Sequence, residues 1–333
     1  MKALLCKAFG PPENLVLEDV LSPKADKGQA IITVKACGVN FPDVLIIQDK
    51  YQFKPALPFA PGGEIAGIVK ETGEGVSNVK AGDNVIVSVG NGGFAEEVAV
   101  DAQRCIPMPD NLDYAVASSF FVTYGTSYYA LKHRAHLKAG QNLVVLGAAG
   151  GVGLAAVELG KIMGARVIAG ASSQEKVDLA KKYGAEDGFV YPTNPLSKDQ
   201  QKAFSEDIKR LTGGKGADVL YDPVGSDYAE PGLRAMNWEG RYLVIGFAAD
   251  DIPKVPLNLT LLKGCDIVGV FWGASVMRDP KQGFADLAQL TGWIAEGKLK
   301  PHVSAKFPLA RGGEAIRMLM DRKAQGKVVV TMN

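Results

Sequence analysis

Three small residues at a fixed spacing form a turn that could hold an anion. Ala148, Gly150 and Gly153 follow the apolar segment 143–146 and precede the apolar, helix-like segment 154–159. A glycine at the second position lets the backbone approach a pyrophosphate, and a glycine at the third lets the helix pack on the strand. The helix N-terminus adds unpaired N–H groups and a partial positive charge. We therefore predict a dinucleotide-binding turn in which the pyrophosphate lies on Ala149, Gly150, Gly151, Val152 and Gly153.

The residues after the next apolar strand indicate which dinucleotide would bind. A carboxylate at this point would bond a ribose 2′-hydroxyl and select NAD, but the sequence reads Ala-Gly-Ala-Ser-Ser over 169–173. Ser172, Ser173 and Lys176 could instead hold a 2′-phosphate through hydrogen bonds and charge. The same residues are also common at a solvated helix start. We predict NADP(H) rather than NAD.

Strands alternating with helices position these residues from about residue 143 onward. This alternation predicts an α/β fold, a doubly wound parallel sheet of about six strands. Ligands of such sheets bind at the carboxyl ends of the strands. The residues expected there are Val224 and Gly225 after the fourth strand, Gly246, Phe247 and Ala248 after the fifth, and Phe271 and Trp272 after the sixth. The last two could also pack at a subunit contact.

The first 115 residues have a different pattern. Short alternating or β-branched runs recur between turn signals, which predicts a small β-rich barrel. One short helix is predicted at 42–48, where Pro42 suits a first turn. A helix over 114–132 is predicted to lead into the parallel sheet.

Composition limits the possible functions. The 333 residues favour two domains, and a formal net charge of +1 gives no support for a nucleic-acid or membrane partner. The N-terminal apolar run is too short for a signal peptide. Cys6, Cys37, Cys105 and Cys265 are scattered, which is typical of reduced thiols in a cytoplasmic protein.

Several segments together resemble the zinc-independent quinone oxidoreductases of the medium-chain dehydrogenase/reductase superfamily. They are 34–43, 58–64, 79–83, 147–153, 221–225 and 326–329. The resemblance implies a GroES-like barrel domain and a Rossmann domain inserted in it. It places the N-terminal part of the catalytic domain at 1–118 and the NADP-binding domain at 119–262. Residues 263–333 would end the Rossmann sheet and then complete the catalytic domain.

The resemblance also bears on metal binding. The alcohol-dehydrogenase branch has a metal-ligand Cys where this chain has Asn40 and a metal-ligand His where it has Gly63. Neither residue is a credible zinc ligand. His133 and His136 have an H-x-x-H spacing but lie in a polar turn. We predict no metal site, and a substrate that accepts hydride without a zinc-polarised carbonyl.

Further residue roles are implied only by the resemblance. Asn40 and Asp43 would lie beside the nicotinamide and the substrate, with Asn40 able to donate a hydrogen bond to a substrate oxygen. Tyr51 matches a tyrosine found in quinone reductases. A similar tyrosine is taken as the proton donor in related enoyl-thioester reductases, although Tyr51 could equally be an aromatic lid. Thr126 would lie near the nicotinamide. Tyr191 and Arg322 would close over the adenosine 2′-phosphate.

Three functions remain open from the sequence. The first is an NADPH-dependent quinone oxidoreductase acting on a small apolar conjugated substrate. The second is a reductase of enone or enoyl-thioester double bonds with Tyr51 as the proton donor, and the third is an NADPH sensor or structural protein with little turnover. We also predict a homodimer, because the sixth strand, 266–271, is apolar on both faces and falls at the sheet edge.

Overall fold

The computed structural model describes residues 1–249 and 251–332 and divides the chain into two compact units. The first unit contains Met1–Val122 and Lys300–Asn333, and the second contains Thr123–Leu299. The sequence predicted the first boundary at residue 118, four residues earlier. The return to the first unit falls inside the segment 263–333 that was expected to contain it. No helix in the described part of the chain is long and apolar enough to cross a membrane.

The first unit begins with short strands separated by turns. Its first elements are β1 (Lys2–Leu5), β2 (Val16–Asp19), β3 (Gln29–Val39), α1 (Phe41–Ile46), β4 (Glu64–Thr72), β5 (Asn84–Ser88), β6 (Glu97–Asp101), β7 (Ile106–Pro107) and α2 (Tyr114–Ala117).

The second unit alternates strands and helices. After α3 (Phe121–Tyr128) and a π-helical turn (Tyr129–Arg134), the elements are β8 (Asn142–Val145), α4 (Gly151–Ile162), β9 (Arg166–Ala171), α5 (Gln174–Tyr183), β10 (Asp187–Val190), α6 (Lys198–Leu211), β11 (Ala217–Asp222), α7 (Ala229–Arg234), β12 (Met236–Val244), α8 (Asn258–Lys263), β13 (Asp266–Gly269), α9 (Trp272–Arg278) and α10 (Pro280–Ala295). The chain then returns to the first unit through β14 (Val303–Pro308), α11 (Gly312–Met320) and β15 (Lys327–Thr331).

The main sheet of the first unit joins both ends of the chain. Its described strands follow the order β14-β15-β3-β4-β5-β7, and β6 also pairs with β3. β15 runs antiparallel to β3, with Val328 opposite Val39. Apolar side chains such as Cys37, Ile65 and Phe94 are fully buried beneath this sheet. The pairing places Lys327 beside the end of β3, next to Asn40.

The sheet of the second unit confirms the predicted doubly wound architecture. Its six described strands are all parallel and follow the order β10-β9-β8-β11-β12-β13. This order reverses direction between β8 and β11, which is where such sheets bind nucleotides. The carboxyl ends of β8, β9, β11 and β12 therefore share one edge.

The prediction of one continuous helix over 114–132 is wrong. The structure has α2, a break at 118–120, α3 and then the π-helical turn. Ser118 Oγ donates to the Ala115 carbonyl and Ser119 Oγ to the Val116 carbonyl. Serine hydroxyls that bond nearby backbone compete with helical hydrogen bonds, so the pair ends α2. The sequence also missed α8 and α9.

Candidate functional site

The glycine turn between β8 and α4 has the geometry that its sequence predicted. Gly147 takes the left-handed conformation with φ of 57°, and Gly150 is the residue that precedes α4. A Cβ on Gly153 would lie 2.2 Å from the Gly147 carbonyl oxygen, so only glycine lets the helix pack this closely on the turn. The N–H groups of the first turn of a helix lack intrahelical acceptors. This end of α4 can therefore receive a pyrophosphate.

The carboxyl end of β9 carries the predicted phosphate-binding side chains. Ser173 precedes α5, and its hydroxyl accepts the Lys176 N–H at 3.4 Å. The Lys176 ammonium donates to the Ser172 hydroxyl at 3.2 Å. No acidic residue stands between Ala171 and Ser173. The structure thus brings two hydroxyls and one ammonium together where a ribose carboxylate partner would otherwise stand.

The loops after β11 and β12 contact each other and the glycine turn. The Ala248 N–H donates to the Pro223 carbonyl at 3.0 Å. A Cβ on Gly225 would lie 2.9 Å from Phe247 Cδ1, and one on Gly147 would lie 3.4 Å from Val224 Cγ2. The predicted cofactor residues at 224–225 and 246–248 therefore form one surface with the turn.

Asp222, for which no role was predicted, holds this surface in place. Its buried Oδ1 accepts the N–H groups of Val224 at 2.7 Å and Gly225 at 2.9 Å. Its Oδ2 accepts a short hydrogen bond from the Tyr242 hydroxyl. Burial raises the pKa of Asp222, and the three donors lower it. An aspartate at the end of a strand, a few residues before a glycine, is a sequence signal from which these hydrogen bonds could have been predicted.

Tyr191 lies under the glycine turn. It is buried, and its hydroxyl accepts the Gly147 N–H at 3.0 Å. Its ring packs against Phe189, Phe204 and Tyr228. Tyr191 therefore supports the turn from the sheet side. Its predicted contact with the 2′-phosphate stays a prediction.

Thr126 and Trp272 belong to neighbouring elements of the second unit. Trp272 begins α9, and its indole lies on α3 at Gly125, where a Cβ would come within 2.6 Å of the ring. The next residue, Thr126, is half-buried. Ser127, which sequence reasoning missed, donates from Oγ to the Thr123 and Val152 carbonyls and contacts the Tyr221 hydroxyl. These contacts fix α3 against the start of α4. Phe271 is exposed.

In the first unit, Asp43 and Asn40 form the start of α1. The Asp43 carboxylate accepts the Asn40 N–H at 2.8 Å and the Gly62 N–H at 3.0 Å. Burial raises the pKa of Asp43 to about 6, although both N–H groups and the Lys327 ammonium lower it. The Asn40 side-chain amide donates to Glu64 Oε2 at 2.9 Å and accepts from Lys327 Nζ at 2.6 Å. Asn40 is thus held by protein groups on both sides of its amide.

Tyr51 lies near Asp43. Arg322 lies in a strained turn. Tyr51 is half-buried beside Phe53, with ring centroids 6.0 Å apart. Burial and the nearby Asp43 charge raise the pKa of Tyr51, so its phenol keeps its proton at neutral pH. Arg322 follows α11 with φ of 57° and is exposed. Its predicted phosphate contact stays a prediction.

The positions that match zinc ligands do not fit a metal ion. Within residues 1–249 and 251–332, no three or more His, Cys, Asp or Glu side chains are grouped so that they could hold one. The side-chain oxygen of Asn40, Oδ1, already accepts a hydrogen bond from the Lys327 ammonium. Gly63 has no side chain, and a Cβ there would lie 2.8 Å from the Val89 carbonyl oxygen. His133 bonds Asp286 at 2.8 Å, and the same carboxylate lies 3.5 Å from the Lys132 ammonium.

Comparison with known protein families matches both units. Residues 26–110 match the alcohol dehydrogenase GroES-like domain, and residues 151–291 match the zinc-binding dehydrogenase domain. A curated relative, quinone oxidoreductase-like protein 2 homolog of Nematostella vectensis, is 39% identical over 333 residues. The match covers 99% of this chain and 88% of the relative.

Solved structures resemble the chain over its whole length. The quinone oxidoreductase of Escherichia coli, complexed with NADPH, has 27% identity and a TM-score of 0.90, with 99% of this chain and 100% of that chain covered. The quinone oxidoreductase of Thermus thermophilus, whose structures include an NADPH complex, has 33% identity and a TM-score of 0.84 at the same coverage.

Proposed function

This chain belongs to the quinone oxidoreductase-like family of the medium-chain dehydrogenase/reductase superfamily, and from that premise we propose an NADPH-dependent, zinc-independent oxidoreductase that transfers hydride to quinones. The observation that carries the proposal is the edge of the second unit's sheet. It combines an anion-binding glycine turn with Ser172 and Lys176 in place of a ribose-binding acid. NADPH, when bound, would supply the hydride.

The second unit offers groups for each part of NADPH. The start of α4 would take the pyrophosphate on the N–H groups of its first turn, 151–153, whereas the Gly150 N–H already bonds the Gly147 carbonyl. Ser172, Ser173 and Lys176 would take the 2′-phosphate by charge-assisted hydrogen bonds. The loop 224–225, held by Asp222, and the loop 246–248, bonded to the Pro223 carbonyl, would line the path between them and the nicotinamide.

The absence of metal chemistry is part of the proposal. The Lys327 ammonium donates to the side-chain Oδ1 of Asn40, and Gly63 offers no ligand. A substrate that accepts hydride on a conjugated system does not need a Lewis acid to polarise an isolated carbonyl. Quinones meet this requirement, and orientation of the acceptor would supply most of the rate.

A second candidate function is supported by Tyr51. Its pKa is raised by burial and by Asp43, which keeps the phenol protonated. Reduction of an enone or enoyl thioester needs a proton after the hydride arrives, and a phenol can donate it. Tyr51 would then be the proton donor of an alkene reductase.

The test is turnover of NADPH with a quinone, an enone and an enoyl thioester, using the wild type and Tyr51→Phe. We expect the quinone to be the fastest acceptor and to lose little rate in Tyr51→Phe. Tyr114→Phe is the matched control, because the Tyr114 hydroxyl bonds Asn84 elsewhere in the same unit. If the enoyl substrate were fastest and lost about 100-fold or more in Tyr51→Phe, the alkene reductase would be correct. Tight NADPH binding with no turnover on any acceptor would favour a sensor or structural protein.

The proposal also includes the oligomeric state of the protein and its cellular compartment. We expect a homodimer formed through the edge strand β13 and the residues after it, 266–271. The four cysteines are unpaired and buried, which suits the reducing cytoplasm.

A further inference from the structure

A buried cluster of Lys327, Glu64 and Asn40 lies in the first unit. These three residues are 4%, 0% and 8% exposed, respectively. The Lys327 ammonium donates to Asn40 Oδ1 at 2.6 Å, to Glu64 Oε2 at 3.1 Å and to the Val39 carbonyl at 3.0 Å. An ammonium has three protons, so these acceptors use all of them.

The remaining polar atoms of the cluster are also bonded within the protein. Glu64 Oε1 accepts the Val122 N–H at 3.1 Å. The Asn40 amide nitrogen donates to Glu64 Oε2 at 2.9 Å and to the Gly38 carbonyl at 3.4 Å. Because an ammonium only donates and a carboxylate only accepts, the orientation of the Asn40 amide is fixed. This arrangement opposes the expectation that Asn40 donates to a substrate oxygen.

The cluster ties together the pieces of the chain that frame α1. Lys327 starts β15, Glu64 starts β4, and Asn40 lies between β3 and α1. From Asn40 the contacts continue to Asp43, which accepts the Asn40 and Gly62 N–H groups. The Lys327 ammonium therefore fixes the backbone around α1. The side chains that are proposed to face the acceptor extend from this backbone.

We propose that Lys327 is a positioning residue, with its ammonium holding Asn40, Glu64 and the start of α1 in the geometry needed for turnover. The proposal rests on the proposed function only for the claim about turnover. Lys327 does not itself touch the acceptor, because its three protons are already bound.

The experiment separates positioning from folding. Lys327→Met alone leaves the Glu64 carboxylate buried without its cation and is expected to lower the unfolding temperature. The double variant K327M/E64Q removes both charges with little change of shape and should recover most of that temperature. The exposed pair Lys7–Glu18, 2.7 Å apart in the same unit, gives the control double variant K7M/E18Q.

Two readouts are measured on the double variant. Hydrogen exchange of the peptide covering 38–48 should be at least about tenfold faster than in the wild type, because the anchor of α1 is lost. With the fastest acceptor, kcat should fall about tenfold or more while the Kd for NADPH stays within about twofold. The control variant should change neither quantity.

Each outcome decides the proposal. Unchanged exchange at 38–48 would overturn it, whether or not the wild type turns over any acceptor. Faster exchange with full kcat would show that Lys327 is merely structural and would also overturn it. A wild type with no turnover at all, combined with faster exchange in the variant, would refute the proposed function and the claim about turnover, while the anchoring of α1 by Lys327 would stand.

Discussion

Lys176 is the residue on which the choice between NADPH and NADH depends. Its ammonium lies 3.2 Å from the Ser172 hydroxyl at the end of β9, where the sequence has no acidic residue over 169–173. A 2′-phosphate placed beside these groups would form charge-assisted hydrogen bonds. NADH, which lacks that phosphate, would form none of them.

Lys176→Ala should therefore raise the Kd for NADPH about 10- to 100-fold, since a hydrogen bond to a charged group contributes about 1.5–3 kcal/mol. The Kd for NADH should stay nearly constant. Both are measured by titration of the reduced cofactor's fluorescence. Lys182→Ala, an exposed lysine in the last turn of the same helix, is the control. An equal rise in the Kd for NADPH and NADH would show that Lys176 does not bind the 2′-phosphate.

At the scale of elements, local rules predicted the strand, glycine turn and helix at 142–162 better than they predicted some of the other helices. The strand, glycine turn and helix at 142–162 were predicted from spacing alone. The helix α8 was missed because Leu257, Leu261 and Leu262 are 74%, 79% and 64% exposed. Apolar residues that face solvent give no pattern tied to a core.

The contacts that could not be predicted join residues far apart in sequence. Lys327 bonds Asn40 across 287 positions, and Tyr242 bonds Asp222 from the neighbouring strand. Spacing rules describe neighbours along one strand or helix. They contain nothing about which side chains meet when β15 pairs with β3.

The packing of α4 on the glycine turn gives a prediction at this scale. Gly153→Ala would place a Cβ 2.2 Å from the Gly147 carbonyl oxygen, so the helix must move away from the turn. We expect a loss of about 1–3 kcal/mol in the free energy of unfolding, typical of overpacking. The Kd for NADPH should rise as well, because the N–H groups that face the pyrophosphate move with the helix.

A second helical glycine of the same unit provides the control. Gly292 lies within α10, and a Cβ there meets no atom within 4 Å. Gly292→Ala should stabilise the protein by about 0.4–1 kcal/mol and leave NADPH binding unchanged. Chemical unfolding and cofactor titration measure both quantities. If Gly153→Ala bound NADPH like the wild type, the close approach of α4 would have no role in binding.

At the scale of the whole molecule, the parallel sheet has an edge strand that could pair with a second copy of the chain. β13 pairs only with β12 among the described strands and is the outer strand. Ile267 on this strand is 39% exposed, and Phe271 just after it is 46% exposed. Natural proteins rarely leave an apolar edge strand open to solvent, because it can pair with another chain. A second copy offers the same edge, and a two-fold axis lets the two edges pair with each other.

We therefore expect the wild type to sediment at twice the protomer mass and Ile267→Lys to sediment at the protomer mass, because a lysine on an edge strand opposes pairing. Leu21→Lys is the matched control, since Leu21 is 94% exposed and belongs to the first unit, whereas β13 belongs to the second. It should leave the sedimentation unchanged. Analytical ultracentrifugation over a range of concentrations makes the measurement. A wild-type monomer at every concentration, or a dimer that persists in Ile267→Lys, would show that β13 does not join two copies.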